Sequence, residues 1–463
     1  MLKKSVVENT LEMALSTGGT FAEIFMEDTK RSRISMVNGR VDTAFSGIDY
    51  GVGIRVFDGT NSIYAFTNDT SEKSLLETAR NVSFAIKNGG GNGKVLDFTK
   101  VGYDNRNIIK IMPDTIHKKA KVDILRQASD TAFSYSDLIS QTRSGYEDVC
   151  QDVFIANSEG LWVSDKRVRS RFTIESVASS STEKQSGRFS PGGSLGFELF
   201  DTIDINELSR EASRIAVTML NAKNCPSGKM PVVIDNGFGG VIFHEACGHS
   251  LEAIAVARNA SVFCDRLGEQ IASSLVTAVD DGTIPNGWGS SNVDDEGTPC
   301  QKNVLIENGI LKSYLVDKLN GIKMGAKPTG SSRRESYRYA PTSRMTNTFI
   351  ANGKSSPSEI ISNTEYGLYA KQMGGGSVDP ATGSFNFAVL EGYIIRNGKI
   401  CEPVRGATLI GKGHEVLMKI DMVGNNLLRA QGMCGSISGS IPTDVGQPMI
   451  RVSEITVGGR GEW

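Results

Sequence analysis

The sequence predicts an α+β protein of two domains. Residues 1–223 read as an N-terminal α+β domain built on antiparallel hairpins, and residues 224–463 as a strand-rich C-terminal domain. Three observations carry this reading. Alternating apolar segments meet at Asn-Gly or Asp-Gly, as in "SMVNGRV", "VFDGTN", "IENGIL" and "IIRNGKI", the strongest short-range hairpin signal. Helical spacing is confined to a few segments. "NCPSGKMP" (224–231) has the composition of a boundary, and 463 residues suit two or three domains of ordinary size.

Taken in order, residues 4–17 set Val6, Val7, Leu11 and Leu15 near helical spacing. "AEIFMEDTKRSRISMVNGRVDTAFSG" then alternates around Asn38-Gly39, and "YGVGIRVFDGTNSIYAFTND" around Asp58-Gly59. Ser71 caps a helix running to about Ile86; Ser74 stands where a capping box needs Glu or Gln, so the cap is single. "KNGGGNGK" is a loop, residues 116–134 a helix, and strands follow near 147–156 and 161–178. "SVASSSTEKQSGRFSPGGSLG" is rich in Ser and Gly and reads as mobile. A helix over 206–222 closes this half. Beyond the boundary, "MPVVID" is a short buried strand, "NGFGG" a tight turn and "VIFHEACGHSLEAIAVAR" a helix.

Composition excludes several functions. Lys and Arg number 50 against 52 Asp and Glu, a net charge of −2, so no basic nucleic-acid surface is expected. No apolar run approaches the ~18 residues a membrane helix needs. "MLKKSVVENTLEMALSTGG" lacks the apolar core of a signal peptide, since Glu8 and Glu12 interrupt it. Seven cysteines are scattered without a C-x-x-C pair, which points to reduced thiols and a cytoplasmic location.

The chemistry concentrates in "FHEACGHSLE", which holds two of the four histidines. His244 and His249 are five apart. On a straight α-helix that spacing sets them about 140° apart, against about 40° for an i,i+4 pair. One ion can join them only if the helix is widened, as by a π-bulge, or ends at the motif. Gly248 is the residue most willing to allow this. Zinc takes imidazole, thiolate and carboxylate ligands, and a catalytic site keeps one position for water. Glu245 would stand beside that water as general base. The third ligand must come from elsewhere. Cys247 lies about 60° from His244 but about 160° from His249, so it would need severe unwinding. His414 in "GKGHEV" and Cys434 in "GMCGSISG" are the remote candidates, and geometry does not choose between them. The bland alternative is a capped helix whose histidines bond backbone carbonyls.

Other motifs weaken on inspection. "GGSLG" matches the nucleophile elbow with Ser194 at its centre, but a polar loop precedes it where an apolar strand is needed. Arg333 and Arg334 in "GSSRRESYR" are candidates for gripping a peptide carboxylate or backbone, with a structural ion pair as the commoner role. "VDDGTIP" and "NVDDEGTP" lack an ordered calcium loop and read as acidic turns. Neither "KNGGGNGK" nor "MGGGS" ends as a P-loop does.

The residues around the motif resemble the TldD branch of the TldD/PmbA family of metalloproteases. The likeness runs through "GGVIFHEACGHSLE", "SSLVTAVDDGTIPNGWGSSNVDDEGTPCQKNVLIENGIL", "MGAKPTGSSRRESYRYAPTSRMTNTFI", "RGATLIGKGHEVL" and "GMCGSISGSIPTDVGQPMIRVSEITVGG" in order. It implies that the strand-rich C-terminal domain carries the metal-binding helix. It implies His244, His249 and Cys434 as metal ligands and Glu245 as the catalytic base. For such a His/His/thiolate set Zn2+ is the default, with iron suited to related ligands, and the resemblance further implies unfolded or modified peptides as substrates. The expected partner is a PmbA/TldE-like paralogue in a heterodimer, with a homodimer as the alternative. A non-catalytic peptide-binding subunit of such a complex is the rival reading. The family more often carries Val or another small apolar residue where this chain has Cys247, which puts a second thiol near the site.

Overall fold

A computed structural model describes residues 2–86, 91, 93–379 and 382–461. The glycine loop expected at 87–94 falls largely outside them. The fold is α+β, as the sequence predicts. Helix Lys4–Leu15 precedes strands Phe21–Val37 and Arg40–Asp58, which join at Asn38-Gly39 with φ of 51° and 70°, the backbone a two-residue hairpin turn requires. Ser71 caps helix Glu72–Phe84, its Oγ accepting from Ser74 N at 3.4 Å. Helices Lys118–Phe133 and Ile205–Leu220 flank the paired strands Ile139–Asn157 and Leu161–Ser179.

Two sequence expectations need correction here. The first long strand of that pair begins at Ile139, not near 147. Its early buried positions include Thr142 and Ser144, which hide the alternation. Their hydroxyls are satisfied by Ser129 Oγ at 2.6 Å and the Leu125 carbonyl at 2.9 Å, so burying them carries little penalty. The segment read as mobile, 176–196, is instead part of the sheet: Lys184–Phe189 pairs with Leu161–Ser179. Gly187 explains its small-residue composition, because a Cβ there would lie 2.1 Å from the Ala212 carbonyl of the covering helix.

The N-terminal sheet has two different faces. Even-numbered residues such as Ile24, Ile54, Phe154 and Phe172 pack against the helices. Odd-numbered ones, including Glu23, Phe25, Arg55 and Arg167, face the C-terminal half, as period-2 alternation dictates. Arg55 pairs with Glu23 of the neighbouring strand at 2.9 Å and, across that contact, with Glu296 at 2.5 Å, while Arg167 pairs with Asp295 at 2.5 Å. "NVDDEGTP" is an acidic turn, as read from the sequence, but a buried one. Asp294, Asp295 and Glu296 are buried: Asp295 and Glu296 supply counter-charge across the contact, and Asp294 and Asp295 accept from the backbone N–H groups of Glu296, Ser332 and Arg334 within the C-terminal half.

In the C-terminal half, strand Gly228–Ile234 lies parallel to Tyr366–Asp379 and antiparallel to Ile450–Gly458. The chain then turns through Gly237–Gly240 into helix Val241–Ala246. A second sheet ends in the hairpin Leu428–Ser436/Gly439–Gln447, with Leu428–Ser436 at its edge. Phe243, Leu251, Phe387, Leu409 and Ile450 share the main core between these elements. Among the described residues no helix is long and apolar enough to cross a membrane.

Candidate metal centre

The helix expected to run through 241–258 stops at Ala246. Cys247 leaves helical geometry at φ −132°, ψ −47°, a tighter turn spans Gly248–Leu251, Glu252 is extended, and a short helix resumes at Ala253–Val256. The extra residue of H-E-x-x-x-H is thus absorbed by a break at Cys247, not by a widened turn at Gly248. Gly248 does not take a positive φ. It is needed for space, because a Cβ there would sit 2.2 Å from Met345 Sδ. The break swings His249 back toward His244, and their rings meet edge to face with centroids 4.9 Å apart.

The Leu428–Ser436 strand brings Cys434 to both. Its Sγ lies 3.3 Å from His244 Nε2 and 3.3 Å from His249 Nε2. Donor atoms of the three residues all fall within 4.8 Å of one another. Burial would raise the Cys434 thiol, but hydrogen bonds and charge from the two imidazoles outweigh it and bring the group down to about 3. Against burial, which lowers it, Glu252 and Cys434 hold His249 well above the ordinary imidazole range. The geometry joins the sulfur to two imidazoles, whose charge and hydrogen bonds favour its thiolate form.

Surrounding groups fix this arrangement. His249 Nδ1 lies 3.2 Å from Glu252 Oε2, leaving Nε2 for the cluster. Glu252 also accepts from Met345 N at 3.3 Å. Arg344, fully buried, donates to the Cys434 carbonyl at 2.6 Å and to Gly439 O at 3.1 Å, pinning the hairpin turn, and its Nε stands 3.9 Å from Glu252. Sequence reasoning missed both residues. Glu252 was visible as the last letter of "HSLE", three residues after His249, whereas nothing local marks Arg344. Glu245 projects beside the cluster with Oε2 3.7 Å from His249 Nε2, and its carboxylate makes no hydrogen bond to the described residues.

The donor set fits a metal ion. Two imidazoles and a thiolate are ordinary zinc ligands, and three protein donors leave one position for water or substrate. A ligand histidine held through its other nitrogen by a carboxylate is the usual supporting arrangement. His244 Nδ1, by contrast, is buried with no partner among the described residues.

The remaining candidates sit elsewhere. His414 stays out of the cluster, on a short helix, Gly413–Met418, whose first residue abuts the Ala246 carbonyl. Cys247 is fully buried and burial pushes its thiol far up, the behaviour of packing rather than of a ligand. Ser194 has no histidine partner; its backbone N bonds the Asn286 carbonyl. Arg334 is absorbed by structure, bonded to Glu23 at 2.8 Å and the Asp295 carbonyl, and stacked 4.1 Å from the Phe25 ring. Its guanidinium is thereby committed to these partners, although Arg334 and Arg333 line the same cavity. The edge strand bearing Cys434 is itself blunted, since Arg171, Trp288 and Arg344 take the carbonyls of Gln431, Gly432 and Cys434.

A His/His/Cys donor set with a glutamate 3.7 Å from one of its histidines, in a strand-rich α+β frame, has the chemistry to hold a metal ion. The chain belongs to the PmbA/TldD metallopeptidase family. Models of the PmbA/TldA metallopeptidase domain 1, central domain and C-terminal domain match residues 22–87, 112–220 and 227–459. It is 38% identical to a Metalloprotease TldD homolog of Buchnera aphidicola, covering 89% of this chain and 87% of that one. It is 36% identical to a Metalloprotease TldD homolog of Haemophilus influenzae, covering 95% and 93%. The crystal structure of TldE from Thermococcus kodakarensis superposes with a TM-score of 0.77 at 19% identity, covering 98% of this chain and all of that one.

Proposed function

We propose that the chain is a metal-dependent peptidase in which His244, His249 and Cys434 hold a zinc ion and Glu245 is the general base. The observation that carries this reading is the meeting of those three donors, from segments 185 residues apart in sequence, with their ligand atoms within 4.8 Å. A relative from Saccharolobus solfataricus, 25% identical, bears the name zinc metalloprotease TldD homolog, which favours zinc; iron is the alternative for these ligands. When bound, the ion supplies Lewis acidity that polarises a carbonyl and acidifies water.

The rest follows from the chain's own groups. Glu245 accepts the proton of the attacking water and returns it to the leaving amine. Its carboxylate makes no hydrogen bond to the described residues and stands with Oε2 3.7 Å from His249 Nε2, beside the cluster where that exchange takes place. Glu252 holds the His249 ring in place, and Arg344 fixes the hairpin that presents Cys434. The substrate class is unfolded or modified peptides. The working assembly is a heterodimer with a PmbA/TldE-like paralogue, or a homodimer, in the cytoplasm; all seven cysteines are free thiols, which suits a reducing compartment.

The test is Glu245→Gln, assayed with its partner on a fluorogenic unstructured peptide. The variant keeps its metal and loses at least a hundredfold in kcat, in the range general-base removal produces. Undiminished turnover by the variant would sink the assignment. Wild-type protein that holds metal yet cleaves no peptide would point instead to a non-catalytic peptide-binding subunit.

A further inference from the structure

The sheet face that meets the C-terminal half carries arginines at three alternate positions of one strand, Arg167, Arg169 and Arg171. Period-2 spacing sets all three on that face, but their surroundings differ. Arg167 is paired with Asp165 at 3.1 Å and Asp295 at 2.5 Å. Arg171 donates to the carbonyls of Ser190 and Gln431 and lies 5.3 Å from the Trp288 ring. Arg169, the middle rung, is 8% exposed and reaches only the carbonyls of Trp288 at 3.1 Å and Ser290 at 3.4 Å.

From the opposite wall comes Arg333, 7% exposed. Only its Nη1 is engaged, with the Met345 carbonyl at 2.7 Å and Thr443 Oγ1 at 3.4 Å; its Nε and Nη2 make no hydrogen bond to the described residues. Neither arginine has a carboxylate at ion-pair distance among the described residues. Both line one cavity of about 180 Å³, whose walls include Trp288, Cys300, Thr346 and the exposed Met433, with the carboxylates of Glu147, Asp294, Asp295 and Glu335 also on its lining. Burial, and then repulsion from Arg333, push Arg169 down to about 9; burial, against the pull of Asp295, pushes Arg333 down to about 10. A guanidinium stays charged in a protein, so these shifts express positive charge that the nearby carboxylates, Asp295 among them, offset only in part. Buried charges are normally paired, as the neighbouring Arg167 of this same face is.

We propose that this cavity binds a small oxyanion between Arg169 and Arg333, at a site separate from the metal centre. The guanidinium fork matches the paired oxygens of a carboxylate or phosphate, and free N–H groups of Arg333 are available to it. The oxygens can belong to a free inorganic anion or to the C-terminal carboxylate of a peptide. The second source would place a peptide against the hairpin that supplies the thiol, because the cavity wall includes Ile441, the cross-strand neighbour of Cys434.

The experiment is calorimetric titration of the full-length protein at constant ionic strength with three probes: inorganic phosphate, acetyl-trialanine and its C-terminal amide. Phosphate or the free acid binds wild type, and the amide does not. Binding of the free acid identifies a peptide terminus as the source, and binding of phosphate alone a free anion. Arg169→Met and Arg333→Met each weaken the bound probe at least tenfold, whereas His249→Ala, which disrupts the metal cluster, leaves it within twofold. If the Met variants do not fold, Arg333→Lys keeps the charge without the fork and weakens binding several-fold. Binding by neither anion overturns the proposal, as does unchanged binding in the arginine variants or its loss in His249→Ala.

Discussion

Glu252→Gln probes the part of the centre that the structure adds to the motif. Glu252 is 3% exposed and holds His249 Nδ1 at 3.2 Å. The amide is nearly the same size, so the core around it is undisturbed. What changes is charge: the carboxylate that accepts from the ring and strengthens Nε2 as a donor becomes a neutral group whose NH2 face can turn toward the ring. Loss of such a supporting carboxylate lowers metal affinity about 10–100-fold, or ~1.4–2.7 kcal/mol. A second consequence follows from Arg344, whose Nε stands 3.9 Å from Glu252 and has no hydrogen-bond partner. It keeps its bonds to Cys434 O, Gly439 O and Ser438 Oγ, so stability falls by less than the ~3–5 kcal/mol of breaking a full buried pair. Affinity is read by competing the protein against a chromophoric chelator for zinc, and stability by urea unfolding of the metal-free form. Zinc affinity within twofold of wild type would refute the role given to Glu252.

Three further outcomes follow. Gly248→Ala drives a methyl into Met345 Sδ, at 2.2 Å before relaxation, and costs about 1–3 kcal/mol as overpacking; Met345→Ala in the same chain restores most of it in thermal unfolding, and failure to do so places the strain elsewhere. Arg334→Met leaves Glu23 with Arg55 as its one remaining ion-pair partner and costs about 3–5 kcal/mol, seen as a lower urea midpoint; an unchanged midpoint would show that the buried network contributes no net stability. Cys247→Val leaves zinc stoichiometry unchanged, because the thiol packs in the core away from the cluster, and a drop in bound zinc would make it a ligand after all.

The hairpins were legible because Asn38-Gly39, Asn308-Gly309 and Asn397-Gly398 need positive φ that few other pairs supply, and all three adopt it. Elements that bury hydroxyls were harder to read. Thr142 and Ser144 look polar until Ser129 and the Leu125 carbonyl, in another element, satisfy them. The site divides the same way. His244, Glu245 and His249 stand together in sequence, and their spacing announced that a regular helix could not serve. Which residue breaks it was misread, because a glycine next to a histidine suggests backbone freedom, whereas Gly248 is required by Met345, almost a hundred residues later in the chain. Geometry alone did not choose Cys434 over His414; that choice came from resemblance, and the hairpin now places the thiol beside both rings. A structural ion pair was the commoner role expected of Arg334, but its partner could not be read, because that counter-charge, Glu23, lies near the other end of the chain.

The central claim is that the three donors hold a catalytic ion. Its most direct test is a crystal of the zinc-loaded protein with X-ray fluorescence and anomalous difference density at the zinc edge. The account predicts one strong peak within about 2.0–2.4 Å of His244 Nε2, His249 Nε2 and Cys434 Sγ, lost together with peptidase activity in Cys434→Ala. A peak at any other group of residues, or full peptidase activity in protein shown to hold no metal, would contradict it.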